Sequence, residues 1–135
     1  MDVSGFRRYL PAVGFSLLVL VTSLLPVPEG AGEQVPALLD FTLDKWVHAV
    51  SYGTLAVLLA WGRQARDVTT VAALVIVSLC YGAGVELLQA LVPSRGVSGA
   101  DFVANAAGAV LAGLAWLVVH RSGALSEQTD PQSRQ

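Results

Sequence analysis

Four stretches of the chain are almost wholly apolar: Ala12 to Leu25, Ala49 to Gly62, Val68 to Val92 and Asp101 to Val119. Segments rich in proline, glycine and charge separate them, around Val27 to Leu43, Arg63 to Asp67 and Ser94 to Ala100. Long apolar runs with polar breaks predict helices rather than strands. The expected bounds are about 9–25, 44–62, 68–92 and 101–119. Pro11 falls in the first turn of the first helix, where a missing N–H does no harm. Pro26 and Pro28 stop that helix, and Pro93 stops the third. Thr42 is a plausible N-cap for the second helix, and Asp44 suits the positive end of its dipole. About 19 residues at 1.5 Å each span roughly 28 Å, the thickness of a bilayer core. The third run, about 25 residues, crosses with tilt or projects its last turn.

Composition turns this pattern into a statement about solvent. Of 135 residues 54% are hydrophobic and only 13% charged, with a mean hydropathy of +0.62. A water-soluble domain carries about 25% charged residues. The expectation is therefore all-α: a four-helix transmembrane bundle forming a single domain over 1–121, with a polar tail at 122–135 disordered in the cytoplasm. Arg7, Arg8, Arg63, Arg66, Arg121 and Arg134 fall on one side of four crossings, and only Lys45 and Arg95 on the other. The positive-inside rule then puts both termini in the cytoplasm of a multi-pass cell-membrane protein. Arg7 and Arg8 before a moderate apolar core also fit a signal peptide, but Pro26, Pro28 and Glu29 make a poor cleavage region, so a retained first helix is favoured. Cleavage would leave the other three helices with the same orientation. The net charge of −2 leaves no basic patch for nucleic acid. The single cysteine, Cys80, excludes an internal disulfide and a Cys-based metal cluster, and reads as a small packing residue.

The costly residues gather near one end of these helices. Ionisable side chains within membrane segments usually face a bundle interior or an aqueous cavity and mark functional sites. Asp44 and His48 open the second helix, Glu86 and Gln89 close the third, and Asp101 and Asn105 open the fourth, all within roughly 10 Å of the outer boundary. They also share faces. Asp44, His48 and Tyr52 form one stripe; Gly82, Glu86, Gln89 and Pro93 a second; Asp101, Asn105, Gly108 and Ala112 a third. Small residues at Gly82, Gly84, Gly108, Ala112 and Gly113 let backbones approach closely. The expectation is one compact polar pocket facing the extracytoplasmic side, with Asp44, Lys45, His48, Tyr52, Glu86, Gln89, Arg95, Asp101 and Asn105 as binding candidates. Plainer roles stay open: Glu86 and Gln89 as interhelical glue, Asp44 as a cap, Asp101 as a dipole partner, Lys45 as a snorkelling side chain.

At these positions the chain resembles the VanZ-like family of small polytopic membrane proteins. The likeness rests on Asp44-Lys45-x-x-His48 followed by Tyr52, on Glu86-x-x-Gln89-x-x-x-Pro93-x-Arg95, and on Asp101-x-x-x-Asn105-x-x-Gly108 with Gly113 beyond. It covers roughly Asp44 to Val119. Many relatives carry an aromatic residue directly after the histidine, where this chain has Ala49. The resemblance implies an envelope-facing membrane protein, with a link to glycopeptide susceptibility through teicoplanin, which acts on peptidoglycan precursors at the outer membrane surface.

Three functions fit this pattern. In the first, the pocket binds or moves a membrane lipid or lipid-linked cell-wall precursor, with Lys45 and Arg95 meeting anionic oxygens and protonation of Glu86 or His48 coupled to binding. Four helices are few for a translocation path, so transport would need a homo-oligomer. In the second, an intramembrane hydrolase or transferase uses His48 as general base with Glu86 or Asp101 as acid, and a set of His, Glu and Asp can hold a divalent ion. No nucleophile motif, His-x-x-x-His pair or phosphate loop supports it, and the sequence names no cofactor and assigns no metal ligands. In the third, the stripes bind a protein partner.

Overall fold

The computed structural model describes the backbone of residues 3–25, 37–38, 41–92 and 98–128, and the side chains of residues 5–25, 43–92 and 98–120. A short helix α1 (Val3–Arg7) turns into α2 (Leu10–Leu24), with Pro11 in its first turn. A two-residue antiparallel pairing of β1 (Ala37–Leu38) with β2 (Phe41–Thr42) leads directly into α3 (Leu43–Arg63). Then follow α4 (Val68–Gln89) and α5 (Gly99–Gln128). The described chain is all-helical apart from that pairing. The side chain of Thr42, the expected cap, lies outside the described residues, as does Arg95.

Helix ends follow local chemistry. Gln64 takes the left-handed conformation, φ 55°, and Ala65 N–H bonds back to Ala60 O at 2.9 Å, closing α3 in a Schellman-type turn. Asp67 then caps α4, its carboxylate accepting from Thr70 N–H at 2.8 Å. That bond, made to the charged form, holds the Asp67 carboxyl below the usual carboxylate range. The cap therefore contributes at neutral pH and is lost as pH falls through the lowered value. Ahead of Pro93, α4 stops at Gln89, and Leu91 and Val92 bond to carbonyls three residues back. Ser98 Oγ accepts from Asp101 N–H at 3.3 Å, so α5 begins two residues before Asp101. At its far end α5 continues past Val119 to Gln128, into the stretch expected to be tail.

Three helical stretches, Gly5–Leu24, Val68–Gln89 and Gly99–His120, are long and apolar enough to cross a membrane. Their outward faces suit hydrocarbon: Leu17, Leu18, Val21, Ile76, Val77, Leu87, Leu111 and Val118 are all exposed. Cys80 is exposed as well, and so is not the packing residue its apolar neighbours suggested. The least apolar long helix, α3, is the central one, in contact with α2, α4 and α5. The face it turns to protein carries His48 and Tyr52 beside Gly53, Leu55, Ala56 and Ala60, all buried, while Asp44 and Arg63 at its ends are exposed.

The closest seam runs between α3 and α5. A Cβ on Gly108 would fall on the backbone carbonyl of Ala49, and one on Gly53 would stand 3.0 Å from Gly108 O. No side chain fits there, as in other close helix crossings of small residues. The first helix is docked at three heights: Tyr9 lies over Gly62, Ser16 O accepts from Tyr81 OH at 2.5 Å, and Ser23 O accepts from Gln89 Nε2 at 3.1 Å.

Gly108→Ala is expected to destabilise the bundle by about 3 kcal/mol through overpacking. Gly84→Ala, where an added Cβ meets nothing within 4 Å, should leave stability unchanged or slightly raised. Reversible unfolding of the purified protein in mixed micelles measures both.

Candidate functional site

Three helices deliver the polar side chains to one place. From α3 come Asp44, Lys45, His48 and Tyr52, from α4 Glu86, and from α5 Asp101 and Asn105. Spacings of three and four residues put each set on one helical face, and the Gly108 contact sets the depth at which α3 and α5 meet. Gly82 plays the corresponding part on α4. A Cβ there would stand 2.9 Å from the Tyr52 ring and 3.3 Å from Asn105 Nδ2.

Lys45 closes the mouth of the cluster. Its ammonium donates to Asp44 Oδ2 at 3.1 Å and to Asp101 Oδ1. Asp44 is the exposed member, with 55% of its side chain accessible, whereas Asp101 is buried. Beneath them lies His48. Its Nδ1 stands 3.0 Å from Asn105 Oδ1, an acceptor only, so Nδ1 carries a proton and donates. Glu86 Oε1, 4.0 Å away, is a second acceptor on the same side of the ring. On the opposite side His48 Nε2 faces Asp44 Oδ1 and Asp101 Oδ2, each at 3.9 Å. Each aspartate thus turns one oxygen to Lys45 and the other to His48. Below, the Tyr52 ring is nearly parallel to the imidazole, with ring centres 6.4 Å apart.

The polar balance of the cluster is incomplete. Glu86 is 4% exposed; its Oε2 lies 3.4 Å from Ser98 N–H, but its Oε1 has no hydrogen-bond partner among the described residues. Tyr52 OH and Asn105 Nδ2 are likewise buried without partners there. One acceptor and two donors are therefore unused, each costing about 1–3 kcal/mol if left unmatched. The described charges lean acidic: three carboxylates, Asp44, Glu86 and Asp101, share one ammonium and one imidazole.

Two candidates stand apart. Gln89 turns away toward α2, where it bonds Ser23 O. Arg95 lies outside the described residues. Four contributors were not among the sequence candidates. Ser78 Oγ donates to Tyr52 O at 3.0 Å across α3 and α4, while Tyr81 and Ser23 tie α2 to α4. Ser98 had a visible signal, since Ser98-Gly-Ala-Asp101 has the spacing of a capping box.

No protein-family model, curated protein or solved structure matches this chain.

Replacing Gln89 with leucine should cost about 1 kcal/mol of bundle stability through the lost bond to α2 and leave the cluster intact. Replacing Asn105 with leucine removes the acceptor of buried His48 Nδ1–H and should cost about 2–3 kcal/mol. The two effects are compared in the same micellar unfolding assay, and equal losses would contradict this division of roles.

Proposed function

We propose that the chain is a multi-pass membrane protein of the VanZ-like kind. All four long helices cross the bilayer, both termini are cytoplasmic, and the cluster lies on the extracytoplasmic side. There it binds the headgroup of a membrane lipid or lipid-linked cell-wall component. The positive-inside distribution supports the orientation. At 21 residues α3 is about 31 Å long, enough to span, and its mid-helix polar side chains His48 and Tyr52 are covered by its neighbours.

One observation carries the binding reading: among the described residues, a buried cluster shared by three helices keeps an unmatched acceptor, Glu86 Oε1, and two unmatched donors, Tyr52 OH and Asn105 Nδ2. Buried polar groups are nearly always paired, so such a set points to a bound polar molecule. The pattern also favours a class of headgroup. A bare phosphate only accepts, and so leaves the acceptor Glu86 Oε1 unmatched. Hydroxyls and amides both donate and accept, which suits a sugar, glycerol or peptide headgroup entering past exposed Asp44. Lys45, expected to meet an anion, is held by Asp44 and Asp101 and serves to keep those carboxylates in place.

Two measurements test this reading. Native mass spectrometry of gently extracted protein should find a lipid or lipid-linked species on the wild type. Its retention should drop at least tenfold in Glu86→Gln and in Tyr52→Phe. Equal retention in all three proteins would place the lipid elsewhere, and no retained lipid in the wild type would refute the proposal. In a Cys80→Ala background, Asp44→Cys should react with an impermeant thiol reagent from outside intact cells and Arg66→Cys only after permeabilisation. The reverse pattern would invert the topology.

A further inference from the structure

The side of His48 that faces Asp44 and Asp101 presents a separate chemical problem. With Nδ1–H committed to Asn105 Oδ1, the lone pair of the neutral imidazole is at Nε2, which faces two carboxylate oxygens at 3.9 Å. Lys45 neutralises the outer oxygens of both aspartates, and the inner oxygens and Nε2 are left to share either a proton or a metal ion. We propose that Asp44, His48 and Asp101 bind a divalent metal ion of the zinc class, through Nε2, Asp44 Oδ1 and Asp101 Oδ2.

Several features of the cluster converge on this assignment. Donor atoms from all three residues lie within 4.8 Å of one another. Ligands about 2.1 Å from one zinc ion stand about 3.4 Å apart in a tetrahedron, so each His–Asp pair need close by only about 0.5 Å. One imidazole with two carboxylates is a donor set suited to zinc or manganese rather than to a soft cation. The surroundings have the form usual around metal-bound histidine, where the second ring nitrogen donates to a carbonyl or carboxylate and so fixes tautomer and orientation. Here Asn105 Oδ1 takes that bond and Glu86 Oε1, 96% buried and without a partner among the described residues, stands 4.0 Å from the same nitrogen. Lys45 holds the remaining oxygen of each aspartate, which turns the inner oxygens toward Nε2.

The site is open on one side, because Asp44 is exposed where Asp101 and His48 are buried. A fourth position there accepts water or an oxygen of a bound molecule, as in zinc sites that keep an open coordination position. The ion also offsets the acidic excess of the cluster. This assignment does not depend on lipid binding, and its test uses no lipid.

The protein is purified in detergent, stripped with chelator, loaded with Zn²⁺, desalted and analysed for metal per chain. Affinity is then measured by titration. The wild type should retain about one zinc ion, and His48→Gln and Asp44→Asn should each bind at least tenfold more weakly. Asp44 is an exposed side chain at a helix end, so Asp44→Asn is expected to unfold like the wild type and decides the matter if His48→Gln is misfolded. Co²⁺ loaded in place of Zn²⁺ should give visible absorption bands of low-coordinate nitrogen and oxygen ligation that disappear in Asp44→Asn. A wild type that retains no zinc would show that a proton, not a metal, lies between Nε2 and the aspartates. Retention unchanged in a folded Asp44→Asn would place the ion elsewhere. Either result overturns the proposal.

Discussion

Charge placed among apolar helices must be neutralised or hydrogen-bonded where it stands, and the bundle is arranged around that requirement. Asp44, Glu86 and Asp101 have one ammonium and one imidazole to share, so α3, α4 and α5 must meet where Lys45 and His48 are. Lys45 reaches from α3 to Asp101 on α5. His48 lies between Asn105 on α5 and Glu86 on α4. Separating α3 from α5 would leave Asp101 without its ammonium and buried His48 Nδ1–H without its acceptor. The same groups therefore specify how the helices assemble and supply the chemistry of the site.

Much of this was legible in the sequence because helical periodicity fixes a residue's face as well as its height. His48 and Tyr52, Glu86, and Asp101 and Asn105 fall on stripes that the fold turns toward one another. Periodicity is silent about which neighbour a stripe meets. Gln89 shares a stripe with Glu86, yet one turn further along that face meets α2 instead of α3, so its amide ends on Ser23. Periodicity is equally silent about the partners of Lys45. An expected partner for anions is already occupied by two carboxylates, one of them 56 residues away in the chain. Cys80 shows the limit in apolar sequence, where a membrane-facing surface and a packed interior have similar composition.

The helix that sits at the centre is the least apolar of the long ones. In water, the most apolar helix is the one covered by protein. Here α4 and α5 are more apolar than α3, yet α3 occupies the centre; it buries His48 and Tyr52, while α4 buries Ser78, Glu86 and Gln89 and α5 buries Asp101 and Asn105. A helix surrounded by other helices can afford hydroxyls, an imidazole and glycines, because its neighbours supply their partners. The outer faces of α4 and α5 have no such neighbours among the described residues, and they are apolar.

The contact of Ala49 and Gly53 with Gly108 constrains motion as well as packing. Backbones this close leave no clearance for one helix to slide or roll past the other, so α3 and α5 act as a single rigid unit. Asp44, Lys45, His48, Tyr52, Asp101 and Asn105 all belong to that unit, and their mutual distances are preset. Glu86 alone comes from outside, on a helix held to the pair by side chains and by hydrogen bonds such as Ser78 to Tyr52 O. The opening beside exposed Asp44 therefore has a preset shape, with the α3–α5 pair as its frame and Glu86 of α4 as the wall behind it.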